Sequence, residues 1–144
     1  MIFILSIGKI KNKNINDLII EYKKRISFLK IELIEIKESN YEKEKKEIFG
    51  FLEKINRKKV FLLADEGKSF DSLEFSNLIK NSLNNNENLI FIIGNYYGFD
   101  NHFKKKFSLI SLSKMTFPHE LAKLLLLEQI YRSETIIKNK NYHK

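Results

Sequence analysis

Leu112-Ser-Lys-Met-Thr-Phe-Pro-His-Glu120 contains the only proline of the chain, at the point where a short apolar run gives way to a leucine-rich helical pattern. Proline has no N–H to lose in the first turn of a helix and its fixed φ suits that position, so the spacing predicts a helix from Pro118 to about Ile136. Ser113 and Thr116 are of the residue types that cap free backbone N–H groups at such a start. Polar groups ahead of a helix N-terminus suit a cofactor or an anion. The same junction, strand then loop then helix, recurs upstream and decides the fold class.

Working back from it, Phe107 to Leu112 reads as a strand, preceded by a short helix ending at Lys106. Leu89 to Ile93 is a continuous apolar run of strand length, suited to the middle of a sheet covered on both faces. Val60 to Ala64 and Ile31 to Ile36 are two more strand candidates, and Ile2 to Ile7 is the first. Between them, Ile15, Leu18, Ile19, Tyr22 and Ile26 recur at the three and four residue spacing of an amphipathic helix. Ile48, Phe49, Leu52 and Ile55 share one side of a charge-rich stretch from Tyr41 to Ile55, the pattern of a solvent-facing helix with intrahelical ion pairs. Asp71 and Glu74 form a capping-box pattern ahead of a helix to Leu83, and Asn84 to Asn86 are a polar break. Strands alternating with helices predict a parallel sheet with crossover helices. No internal repeat or linker interrupts the pattern, and a length of 144 residues suits one domain, residues 1–144.

Hydrophobic residues make up 43% and charged residues 31%, the mix of an ordinary soluble protein. No apolar run approaches the roughly 20 residues that span a bilayer. The apolar start, Met1 to Gly8, has neither a basic leader nor a small-residue cleavage site, so it reads as a strand and the expected location is the cytoplasm. The absence of cysteine excludes disulfides, thiolate catalysis and cysteine-based metal sites, and the three histidines are at 102, 119 and 143.

A net charge of +8 suits an anionic partner such as a phosphate backbone. The lysines nevertheless lie in separate groups, at 9–13, 23–25, 43–46, 57–59 and 104–106. A chain rich in Lys, Asn and Ile with only two alanines is also what an AT-rich coding sequence gives. Charge alone therefore leaves nucleic acid binding and a merely solvated surface equally open.

Three loops follow the carboxyl ends of strands, at 64–68, 94–98 and 113–118, where open α/β sheets bind their ligands. Asp65-Glu-Gly-Lys68 reads as a glycine turn. Gly94 and Gly98 permit close approach or a positive φ, and Asn95 tolerates that region better than most residues. No Gly-Lys-Ser/Thr follows, so this is not a phosphate-binding P-loop.

Taken together, the segment 112–119, then Glu128-Gln-Ile-Tyr-Arg132, then the terminal Tyr142-His-Lys144 resemble the signature of the RlmH family, the small SPOUT-class methyltransferases of bacterial large-subunit ribosomal RNA. The resemblance extends through Ile4 to Lys9, Glu21 to Arg25 and Leu63 to Lys68, and so covers essentially the whole chain. It implies methyl transfer from S-adenosylmethionine to N3 of a pseudouridine in 23S rRNA of the ribosome. The implied fold is a single-domain α/β SPOUT fold with a parallel sheet and a C-terminal trefoil knot, an exception to the rule against threaded chains. It implies cofactor contacts at Leu63, Gly94, Leu112, Ser113, Lys114, Met115, Thr116 and Phe117, and no metal. It also implies a homodimer in which the tail of one chain completes the site of the other.

The sulfonium cofactor is already activated, so the chemistry left to the protein is to hold the acceptor nitrogen in line and help it lose a proton. Tyr142 and His143 are candidates for that work, because a disordered terminus has no need of an aromatic residue and a histidine. Arg132 has two readings, favouring an anionic base or holding phosphate, or a structural ion pair with Glu128 four residues earlier. Lys144 shares the first. His119 reads as a helix-start residue and His102 as surface. Leu124 to Leu127 make the last helix apolar nearly all round, for which a buried dimer interface is the simplest account.

One loop departs from the family pattern. Asn95 stands where a second glycine is usual, and Tyr96 and Tyr97 follow it, either of which suits stacking on a flipped base or covering the cofactor. Two other functions remain open at this point. One is a non-catalytic RNA-binding or ribosome-binding module that kept the fold, and the other is a SPOUT enzyme acting on transfer RNA.

Overall fold

The computed structural model describes all residues, Met1–Lys144. Five strands, β1 (Ile2–Ile7), β2 (Ile31–Ile36), β3 (Lys58–Ser69), β4 (Asn88–Ile93) and β5 (Ser108–Ser111), alternate with five helices. These are α1 (Lys13–Arg25), α2 (Tyr41–Glu53), α3 (Ser72–Asn84), α4 (Asn101–Lys104) and α5 (His119–Ile137). The strands form one sheet in the order β2-β1-β4-β3-β5, with every pairing parallel. The predicted α/β parallel sheet is thus present, and each strand overlaps its apolar run.

Side chains of a strand alternate between faces, and the two central strands use both. Ile2, Ile4, Leu89, Phe91 and Ile93 point to one face, packed under α1, α3 and α5, while Phe3, Leu5, Ile7, Ile90 and Ile92 point to the other, under α2 and α4. This two-sided burial is why β4 reads as unbroken apolar residues rather than an alternating pattern.

β3 departs from expectation. It continues to Ser69 rather than ending at Ala64, and both Leu63 and Lys68 register with Ile110 of β5. Residues 64–67 are therefore a bulge in an extended strand and not a turn. Gly67 is required there by close approach, since a Cβ on it would lie 2.7 Å from the Ile110 backbone nitrogen.

α5 also corrects the sequence reading. Leu124, Leu126, Leu127 and Ile130 are buried inside one chain, because the helix lies between α1 and α3 and against β4. Its all-round apolarity comes from neighbours on several sides and does not call for a second copy. Pro118 is the N-cap rather than the first helical residue, and no side chain caps the helix. Ser113 and Thr116 bond elsewhere.

Two carboxylates on α5 hold distant loops. Glu120 Oε1 accepts the Lys11 and Asn12 N–H groups, each at 3.0 Å, anchoring the loop ahead of α1. The buried Glu134 carboxylate accepts the N–H groups of Ser27, Phe28 and Leu29 at 2.8–3.0 Å. Asp71 and Glu74 form the predicted capping box at the start of α3. No helix is long and apolar enough to cross a membrane.

Candidate functional site

The carboxyl ends of β3, β4 and β5 open into one cavity of about 830 Å³, within the roughly 300–1,000 Å³ typical of small-molecule sites. Leu63, Gly94, Leu112, Ser113, Met115, Thr116 and Phe117 all line it. Lys114 is the exception among the expected contacts, being exposed and outside the lining. The three loops converge because their strands, β4, β3 and β5, are neighbours in the sheet.

The loop before α5 is shaped by its own polar groups. Ser111 Oγ donates to the Ser113 carbonyl at 2.7 Å, and Ser113 Oγ accepts the Met115 N–H at 3.0 Å. Thr116 Oγ1 donates to Asp65 Oδ2 at 2.7 Å, tying this loop to the bulge of β3. That hydroxyl is the main reason the Asp65 carboxyl titrates below its ordinary value. Lys104 of α4 pairs with Glu66 at 2.6 Å beside it. Leu63, Leu112 and Phe117 supply half-buried apolar wall, and Met115 reaches in from an exposed position.

The glycine loop is fastened to α2. Tyr97 Oη donates to Oε1 of the fully buried Glu44, whose Oε2 accepts the Ser39 N–H at 3.0 Å. Burial first, and the Glu44 carboxylate second, push the Tyr97 hydroxyl pKa up. The Asp100 N–H donates to Tyr41 Oη at 2.8 Å. Gly94 packs against Phe99 so closely that a Cβ would stand 2.9 Å from the ring. Gly98 takes a φ of +66°. Asn95, in contrast, has no positive φ and turns its side chain inward, while Tyr96 is 83% exposed. Of the two tyrosines, Tyr97 is anchored and Tyr96 is free.

The tail residues form a second cluster further along α5. Arg132 Nη2 pairs with Glu128 Oε1 at 2.6 Å, and Tyr142 Oη donates to the same oxygen at 3.0 Å. Arg132 Nη1 lies 3.1 Å from His143 Nδ1, and its guanidinium stacks 4.8 Å from the Tyr142 ring centroid. The expected Glu128 pair is therefore present, and the same arginine also touches both tail residues. Arginine only donates, so Nδ1 accepts and a neutral His143 carries its proton on Nε2, an assignment that follows from the bonding pattern. Burial, with Tyr22 and Glu128 adding to it, pushes the Tyr142 pKa well above that of a free tyrosine. In this arrangement Tyr142 donates to Glu128, while His143 accepts from Arg132 and keeps its Nε2 free of any bond. None of Arg132, Tyr142 and His143 lines the cavity.

His119 lines the cavity beside Pro118, His102 is exposed, and no cluster of His, Asp and Glu could hold a metal. Asp65, Glu66, Asn95 and Lys104 border the cavity without having been picked as ligands. The placement of Asp65 and Glu66 depends on the β3 bulge, which no local pattern announces.

The family described as "Predicted SPOUT methyltransferase" matches residues 1–143. The chain belongs to the SPOUT methyltransferases. This SPOUT chain is 42% identical over 151 residues to ribosomal RNA large subunit methyltransferase H of Flavobacterium psychrophilum, covering 97% of this chain and 96% of that one. The enzyme of the same name from Mycoplasmopsis synoviae is 43% identical over 148 residues, covering 98% and 97%. The methyltransferase H family recognised in the 112–119, 128–132 and 142–144 motifs is thereby shown. Among solved structures, a probable methylase family protein from Haemophilus influenzae Rd KW20 superposes with a TM-score of 0.61 at 10% identity, over 99% of this chain and 70% of that one. The SpoU methyltransferase AviRb from Streptomyces viridochromogenes gives 0.54 at 10% identity, over 98% and 62%. At that identity the likeness concerns the fold, and it is the SPOUT methyltransferase fold.

Proposed function

We propose that this chain transfers a methyl group from S-adenosylmethionine to N3 of a pseudouridine in 23S rRNA of the assembled ribosome, as a cytoplasmic homodimer. The observation that carries the reading is the cavity. Seven of the eight residues expected to touch the cofactor line it together, although they come from three separate loops. Its lining suits the cofactor, with apolar walls for a purine and backbone groups from three separate segments. When bound, S-adenosylmethionine supplies a methyl group on a positively charged sulfur. Leu63, Leu112 and Phe117 enclose the ring and exclude water, while Ser113 and Thr116 keep the loop in its binding shape. Lys114 holds phosphate of the RNA from its exposed position rather than the cofactor.

In-line transfer needs the acceptor about 3–3.5 Å from the methyl carbon. Arg132 lies about 20 Å along α5 from Pro118, at 1.5 Å per residue. Tail and cavity of one chain therefore serve different methyl groups, and a second copy brings its tail to this cavity. There, His143 Nε2–H and the Arg132 guanidinium stabilise the imide oxygens as N3 gives up its proton to solvent water. The trefoil knot belongs to this reading, as the passage of 112–118 and α5 back to the face under α1 and α3.

Ribosomes from a strain lacking the modification, incubated with this protein and methyl-labelled cofactor, should gain 3-methylpseudouridine in 23S rRNA. Cofactor binding without label would support a non-catalytic module, and label in transfer RNA instead would support the other alternative.

A further inference from the structure

Tyr96 and Met115 are the two most exposed large apolar side chains of the chain, at 83% and 75%, against 53% or less for every other. Both nevertheless line the cavity, one from the loop after β4 and one from the loop before α5. Side chains that border a cavity and are this open stand at its mouth. Single exposed apolar residues are ordinary, but two of them at the entrance of one site mark a place where something docks.

The loop that carries Tyr96 is held around it. Tyr97 Oη donates to Glu44, the Gly98 N–H to the Asn95 carbonyl at 3.0 Å, and the Asp100 N–H to Tyr41. The Tyr96 ring meets the ring of Tyr97 at 78°, with centroids 5.2 Å apart, and its exposure leaves a face open to solvent. A tyrosine ring turning on a fixed backbone is a large contact surface that loses little freedom when a flat group stacks on it.

Charge selects the occupant. Asp65 and Glu66 line the same cavity, but Asp65 accepts the Thr116 hydroxyl and Glu66 is paired with Lys104. Lys114, adjoining Met115 in the chain, is exposed and takes part in none of the five ion pairs. A nucleotide joins a flat ring with two apolar faces to a phosphate anion, the combination that Tyr96, Met115 and Lys114 can meet together. An apolar peptide would leave the lysine unmatched.

We propose that Tyr96 is the stacking platform for the RNA base presented to the methyl donor, with Met115 extending the apolar contact. This rests on the ribosomal RNA reading above and assigns Tyr96 to the substrate rather than to the cofactor, because a ring so open to solvent does not close over the cavity. Stacking engages the face of the base and tolerates any base. The edge that carries N3 and the imide oxygens stays free for the donors of the tail.

The test is methylation kinetics on ribosomes lacking the modification, with calorimetric binding of S-adenosylhomocysteine and sedimentation of each protein alongside. Tyr96→Ala should lower kcat/KM for ribosomes by roughly tenfold or more, with cofactor-product affinity and oligomeric state unchanged. Tyr96→Phe and Tyr96→Trp, which keep a ring, should recover most of the loss. An active Tyr96→Ala protein with undiminished kcat/KM overturns the platform and leaves the ribosomal RNA reading standing. So does weaker S-adenosylhomocysteine binding in that variant, which makes Tyr96 a cofactor cover, or a change in its sedimentation, which makes Tyr96 a contact between copies. A wild type that binds S-adenosylhomocysteine and labels no ribosomal RNA overturns the substrate reading and the platform together.

Discussion

Arg132 sets the tautomer of His143. With Nη1 3.1 Å from Nδ1, the arginine occupies the one ring nitrogen that accepts, and the proton of the neutral ring lies on Nε2. In the proposed reaction the group offered to the acceptor base is then an N–H donor and not a proton acceptor, so the tail would polarise the base rather than deprotonate it. Tyr142, held protonated by burial and bonded to Glu128, is a donor too.

Glutamine keeps an N–H donor at comparable reach but has no basic nitrogen. His143→Gln should therefore retain a substantial part of the activity that His143→Ala loses, with turnover in the alanine variant down by about 100-fold and S-adenosylhomocysteine affinity unchanged. Steady-state kinetics on ribosomes decides it. Equal loss in both variants would sink the donor role.

If a tail completes the site of its partner, two inactive variants should rescue each other. Gly94→Leu forces a side chain into the Phe99 ring and blocks one cavity, while His143→Ala disables one tail. Mixed dimers of the two contain one intact site, so a refolded equimolar mixture should recover about a quarter of wild-type activity by random pairing. A mixture no more active than its parts excludes the shared site.

Glu134→Gln should weaken the fold. The carboxylate takes three backbone N–H groups from 27–29 in a buried site, and an amide nitrogen would point a donor at one or more of them. A loss of about 2–4 kcal/mol is expected in urea denaturation, from the orphaned groups.

Tyr142 links stability to alkaline pH. Its folded-state pKa lies above the ordinary 10.0, so the folded chain keeps a proton that the unfolded chain releases. The contribution is complete below pH 10 and is lost as pH rises through the folded-state value. Tyr142→Phe should flatten the fall in melting temperature above that pH, and an identical fall in both proteins would contradict the assignment.

Two glycines should respond with opposite signs. Gly67→Ala places a Cβ 2.7 Å from the backbone of Ile110, where nothing flexible can yield, and should cost about 1–3 kcal/mol by prying β3 from β5. Gly50 lies within α2 with open space beside it, so Gly50→Ala should add about 0.5–1 kcal/mol through helix propensity alone. Thermal melts of the two variants check both.

Much of this structure was readable from local patterns. Ile2–Ile7, Ile31–Ile36 and Leu89–Ile93 are strands because apolar runs of that length suit a covered parallel sheet, and Asp71 with Glu74 marked α3 through capping chemistry. The bulge at 64–67 was hidden, since Asp-Glu-Gly-Lys carries turn chemistry and only the pairing of β3 with Ile110 keeps it extended. The burial of Leu124, Leu126 and Leu127 was hidden for a related reason, because apolarity around a helix does not say whether its neighbours are in the same chain. In the site, the family motif named seven residues that line the cavity. Glu44 was missed, being one carboxylate in a charge-rich helix whose burial depends on Tyr97 more than fifty residues away.

The contacts of α5 have a consequence for how this protein is made. Leu126, Leu127 and Ile130 come from the last strand-to-tail segment, yet they cover Ile4 and Ile19 from the first, and Glu134 secures the loop at 27–29. A growing polypeptide that has not yet released this helix from its own ribosome leaves the part of that sheet face between α1 and α3 uncovered, and topology of this kind delays folding until the helix is available. Premature termination anywhere before Leu124 thus yields a sticky fragment for proteolysis rather than a weaker enzyme.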